Sequence, residues 1–148
     1  MKVLIDTNVL LDVLTEREPF YKDSAVIWTM VEKNIVKGYI SAISVNNIYY
    51  ITRKLQGISE AEKIVDKVIK DFRIISLTYE ILKLSRTISK KDFEDVIQYF
   101  SAIQQGCDFI ITRDTKDFPQ KNIKIIEPAD FIEKFRRNGV DFQNGAAI

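Results

Sequence analysis

Met1-Lys2-Val3-Leu4-Ile5-Asp6-Thr7-Asn8 begins as an apolar run, Val3 to Ile5, that is cut off by an acid and two small polar residues. Beyond it Val9, Leu10, Leu11, Val13 and Leu14 recur at helical rather than alternating spacing. The pattern predicts a buried strand ending at Asp6, a tight turn through Thr7 and Asn8, and a helix. Ligands of an open parallel sheet bind beyond the carboxyl ends of its strands. Asp6 would stand at that mouth with its carboxylate free for chemistry. An acid there also serves as an ordinary helix cap, and this stretch alone leaves both readings open.

The same alternation continues along the chain. Pro19 suits the first turn of a helix over Phe20 to Asn34, and Gly38 to Ser41 reads as a short strand. A helix from Ser44 stops at Gly57, and Ser59 with Glu62 has the spacing of a capping box for the next. Phe72 to Leu77 reads as a strand, and Thr78 caps a helix through Ile88. Asp92 opens a helix that ends at Gly106, followed by a strand over Asp108 to Thr112 and a turn through Arg113, Asp114 and Thr115. Asn122 to Ile126 is the last strand, and Pro128 starts a helix ending near Arg137. Alternating strands and helices predict a three-layer α/β/α sandwich with a mainly parallel central sheet. Residues 1–137 read as a single domain, and 138–148, with two glycines, as a loose tail.

Composition narrows the chemistry. The 148 residues carry a formal net charge of +1, so any contact with a polyanion must come from a local patch. The single cysteine, Cys107, rules out an internal disulfide and fits a reducing compartment. The absence of histidine removes imidazole bases, catalytic triads and His-bound zinc together. No secretion signal and no membrane span is read, which predicts a cytoplasmic protein. Carboxylate chemistry is what remains.

Three stretches supply the carboxylates. On a helical wheel at about 100° per residue, Phe93, Val96, Ile97, Phe100 and Ile103 form one apolar face, with Asp92 and Asp95 along its border and Glu94 pointing to water. Asp92 would also cap that helix, and Asp95 would favour its positive end. Ile110-Ile111-Thr112-Arg113-Asp114 repeats the opening logic, a strand ending in an acid, with Asp117 three residues on. Acids brought within a few ångströms raise one another's pKa or recruit a cation. A hard ion with oxygen ligands, Mg²⁺ or Mn²⁺, suits them and can activate water against a phosphodiester. Thr7 and Thr112 flank the strand-end acids as orienting hydroxyls or turn formers, and Arg113 is the basic residue placed to meet a phosphate. Tyr49 and Tyr50 offer rings for stacking on bases, although their helical spacing suits a core or dimer contact better.

Asp6-Thr7-Asn8, Asp92-Phe93-Glu94-Asp95, and Ile111-Thr112-Arg113-Asp114 with Lys116-Asp117-Phe118 together resemble the PIN domain. The resemblance covers nearly the whole chain. It implies a Mg²⁺-dependent ribonuclease, and among small members a VapC-type toxin with RNA as substrate, an antitoxin protein as partner and a homodimeric state. It implies metal-binding and catalytic roles for Asp6, Asp95 and Asp114, with Asp92 and Asp117 as neighbouring acids. One position departs from the family pattern: Asn47 falls where the helix after the second strand should carry a glutamate, and no Asp or Glu lies between Ser41 and Ser59. Asn47 caps the helix or offers a neutral oxygen, with one negative charge fewer in the site.

Three functions compete on these observations. The first is a metal-dependent endoribonuclease, and the second is a non-catalytic PIN-like RNA- or protein-binding module, its site weakened by Asn47. The third is phosphoryl transfer to an aspartate, as in haloacid-dehalogenase-like phosphatases or receiver domains. Asn8 at the offset where the former need an acid, and Thr78-Tyr79 where the latter need the acceptor, place it last.

Overall fold

The computed structural model describes residues 1–139. Its elements run β1 (Lys2–Ile5), α1 (Thr7–Leu14), α2 (Tyr21–Glu32), β2 (Lys37–Ser41), α3 (Ala42–Gln56) and α4 (Ile58–Asp71). They continue through β3 (Arg73–Ile75), α5 (Tyr79–Ser85), α6 (Phe93–Gln105), β4 (Phe109–Ile111), β5 (Lys124–Ile126) and α7 (Pro128–Arg137). The strands form one sheet in the order β3-β2-β1-β4-β5, every neighbouring pair parallel. This is the expected three-layer α/β/α architecture.

A parallel sheet covered by helices is apolar on both faces, so its strands read as unbroken apolar runs. Side chains alternate along a strand, and β1 divides accordingly. Val3 and Ile5 join Ile40, Phe109 and Ile111 in a core closed by α1 to α4 and α7. Leu4 points the other way, to Tyr39, Ile75, Ile110 and the α6 residues Tyr99 and Ala102. The chain leaves β1 toward β2 and β3, then crosses over to β4 and β5. The strand order therefore reverses beside β1, and a crevice opens where β1 and β4 end together, the usual place for a ligand.

Local chemistry explains most of the boundaries. Asp92 caps α6, accepting from the N–H groups of Glu94 and Asp95, and Thr78 caps α5. Gly106 ends α6 at φ 70°, a left-handed conformation that favours glycine. Five expectations are corrected. Pro19 precedes α2, in a turn with a cis Glu18–Pro19 peptide, and so does not sit in the helix's first turn. The capping box at Ser59 does not form, because α4 starts two residues earlier, at Ile58 behind Gly57. Ser41 rather than Ser44 stands at the start of α3, and α5 ends at Ser85. Of Phe72 to Leu77 only Arg73–Ile75 pair as a strand, since β3 is an edge with a single neighbour. Asn138 and Gly139 form the turn that closes α7, and the rest of the expected tail, 140–148, lies outside the described residues.

One close approach is unforgiving. A Cβ added to Gly38 would lie 2.5 Å from a methyl of Val31, a buried β-branched side chain of α2 that has no free end to swing away. Gly38→Ala is expected to cost about 1–3 kcal/mol through overpacking, read as a lowered urea midpoint with unchanged slope. An unshifted midpoint would mean that α2 yields.

Candidate active site

Asp6 is 2% exposed at the end of β1, and its side chain makes no cap hydrogen bond to α1. The Asn8 backbone N–H, in the first turn of α1, nonetheless favours the charged form of Asp6, so its place at the start of the helix and its place in the cleft coexist. Gln98 Nε2 of α6 donates to Oδ1 at 3.0 Å, and the Thr112 hydroxyl beyond β4 donates to Oδ2 at 2.8 Å. Thr112 also accepts from the backbone N–H of Asp114 at 3.0 Å, so one hydroxyl fixes two acids relative to each other. Asn8 Nδ2 reaches Asp114 Oδ2 at 3.3 Å.

Thr7 serves the opposite wall. Its hydroxyl lies 2.7 Å from Ser44 Oγ and 2.9 Å from Glu94 Oε1. With a single proton, and a carboxylate that only accepts, Thr7 donates to Glu94 and accepts from Ser44. Glu94 is therefore half-buried and turned into the site, against the expectation that it projects to water. Phe93, expected on the core face, is 42% exposed instead. The wheel was out of phase because α6 is buried on more than one side: Val96, Ile97, Gln98, Tyr99, Ser101 and Ala102 are all buried. A polar series Glu94, Gln98, Ser101 at helical spacing was the available signal for the true phase.

A cleft of about 470 Å³ collects these groups. Asp6, Asp95 and Asp114 line it together with Asp92, Asp117 and Thr7, and also with Asn8, Asn47, Tyr50 and Glu94. A larger depression of about 950 Å³ lies at the far end of the sheet, among Met1, Cys107 and Lys124, with Asp108 its only acid. Arg113 is turned away from the acidic cleft. Its Nε lies 2.6 Å from Asp12 Oδ2, and its guanidinium sits 4.1 Å from the Phe20 ring centre. Asp12 is fully buried and went unnoticed in the sequence, where it falls inside the apolar run of α1. Arg113 is thus placed to hold the β4 turn to α1.

The electrostatics follow from crowding. Burial, and after it the charges of Asp6, Asp92, Glu94 and Asp117, pushes the Asp95 carboxyl up to about 7. Burial also raises Asp6, against the hydrogen bonds from Gln98 and Thr112 that favour its charged form. A carboxyl raised in the folded state holds its proton after the unfolded chain has released it. Stability is then greatest below pH 4 for this group and is lost as pH rises toward 7. The thermal midpoint of metal-free protein should fall between pH 5 and pH 8, and Asp95→Asn should flatten that fall. Equal slopes in the two proteins would contradict the assignment.

The donor set suits a hard cation, since carboxylate and amide oxygens dominate the cleft's polar lining. Gln98 Oε1 is a buried acceptor without a partner in the same region. Yet among the described residues no three such side chains already converge to enclose an ion. The acids line the cleft side by side.

A family model for the PIN domain matches residues 2–116. Ribonuclease VapC1 of Aquifex aeolicus (strain VF5) is 26% identical over 138 residues, 90% of this chain and 95% of that protein. VapBC-1 from nontypeable Haemophilus influenzae superposes with a TM-score of 0.65 at 13% identity, covering 87% of this chain and 99% of that one. A toxin–antitoxin complex from Klebsiella pneumoniae superposes with a TM-score of 0.63 at 23% identity, covering 85% and 97%. These two structural likenesses are likenesses of fold.

Proposed function

The chain belongs to the PIN-domain family, and on that premise we propose that it is a metal-dependent endoribonuclease that cleaves RNA phosphodiester bonds. The carrying observation is that Asp6 at the end of β1, Asp95 in α6 and Asp114 in the loop after β4 line one cleft at the reversal point of the sheet. The name of the Aquifex relative supports the reaction class. Solved relatives described as toxin–antitoxin complexes support an antitoxin protein as partner. We further assign the protein to the cytoplasm and to a homodimer; among the described residues no helix is long and apolar enough to cross a membrane.

Asp6, Asp95 and Asp114 would hold Mg²⁺ or Mn²⁺, with Asp92 and Asp117 adding negative potential from the rim. Such an ion polarises a phosphoryl oxygen and acidifies bound water. The chain's own contribution is preorganisation: Gln98 and Thr112 fix the Asp6 carboxylate, and Thr112 sets the Asp114 turn. Tyr50, 56% exposed at the cleft with the Lys54 ammonium 4.6 Å from its ring centre, offers a base a stacking surface beside a positive charge.

A second reading, a non-catalytic RNA- or protein-binding module, is favoured by Asn47 and by the separation of the acids. Calorimetric titration of Mn²⁺ into the protein, with RNA cleavage followed in parallel, separates the two. The nuclease shows saturable heat, and cleavage that stops with chelator and returns with Mg²⁺. Neither heat nor cleavage would leave the binding module.

A further inference from the structure

Resting on the nuclease reading, we propose that Glu94 of α6 is the fourth carboxylate of the cation site, standing in for the acid that α3 lacks. No Asp or Glu lies between Ser41 and Ser59, and the α3 residues lining the cleft, Asn47, Tyr50 and Ile51, bring no negative charge. The hydrogen-bonded path from Glu94 through Thr7 to Ser44 carries the Glu94 carboxylate to the first turn of α3. Ser44 and Asn47 are three residues apart on one helix and share a face. Glu94 thus delivers its charge on the side of the cleft that an α3 acid would have occupied.

The alternative role, an acid complementing the positive end of α6, does not account for this geometry. Such an acid gains nothing by turning inward, whereas Glu94 is half-buried and tied to a buried hydroxyl across the site. Among the described residues no lysine or arginine pairs with it. A carboxylate held inward beside several others and without a cationic partner has the setting of a ligand for a cation.

The decisive variant is Glu94→Gln, whose amide oxygen can keep the Thr7 hydrogen bond while losing the charge. Mn²⁺ affinity is measured by calorimetry, with bound Mn²⁺ followed by electron paramagnetic resonance and folding by circular dichroism. Affinity should weaken by about tenfold or more, with the thermal midpoint unchanged or raised. Adding Asn47→Glu to Glu94→Gln should restore it. Wild-type affinity in Glu94→Gln, alongside loss in Asp6→Asn, would overturn the proposal and leave the nuclease reading standing. A double variant as weak as the single one would overturn the equivalence of the two positions. No Mn²⁺ binding and no cleavage in the wild type would remove the nuclease reading and the proposal with it. Should Glu94→Gln fail to fold, Thr7→Val, which frees the carboxylate without altering charge, must weaken Mn²⁺ binding; unchanged affinity overturns the proposal.

Discussion

Asp6→Asn is expected to reduce RNA cleavage by on the order of a hundred- to a thousandfold, the loss that several kcal/mol of charge stabilisation implies. Asp6 is the most enclosed of the three acids and the one whose orientation is fixed on both oxygens. The variant should nevertheless fold. Burial opposes ionisation of Asp6, so a neutral side chain relieves a cost. Thr112 can still donate to the Asn oxygen. Gln98, whose Oε1 has no partner, can turn its amide so that this oxygen accepts from the new NH₂ group. A thermal midpoint equal to or above wild type, with cleavage and Mn²⁺ binding both gone, is the predicted pair of results. Full activity in Asp6→Asn would end the assignment of Asp6 as a catalytic ligand, and a collapse of stability would end this account of the site.

Arg113→Ala should lower stability by about 3 kcal/mol, because it leaves a fully buried Asp12 without its close partner. Arg17 lies 3.9 Å from Asp12 on an exposed side chain and compensates only in part. For a chain of this size the thermal midpoint would drop by roughly 6–12 °C. Asp114 follows Arg113 directly, so cleavage should fall as well, through displacement of the turn. Combining Arg113→Met with Asp12→Asn removes the stranded charge and should recover most of the stability. A phosphate-binding arginine would behave differently, raising KM for RNA while the melting curve stays put. Urea denaturation and cleavage kinetics on the same samples decide between the two.

Much of the site could be read from residues that act locally. Strand ends followed by acids, the Asp92 cap and the Gly106 stop need only their immediate neighbours, and each is found where expected. What failed was the rotation of α6. Its apolar residues cover more than half its circumference, so a stripe fitted to Phe93, Val96 and Ile97 was nearly as good as the true one. Arg113 shows a related gap. A basic residue next to a strand-end acid looks like a phosphate contact until the buried partner on α1 comes into view.

By itself the sequence determined the α/β alternation, the mainly parallel sheet that this alternation implies, and a chemistry restricted to carboxylates by the absence of histidine. The tertiary structure decided which acids share a cleft and which way each side chain turns. Those decisions are made by contacts such as Thr112 with Asp6, Gln98 with Asp6 and Glu94 with Thr7, which join residues 106, 92 and 87 positions apart. Periodicity tells a helix which face is apolar. Only the order of strands in the sheet brings the ends of β1 and β4 together under the first turn of α6, and no local pattern encodes that order.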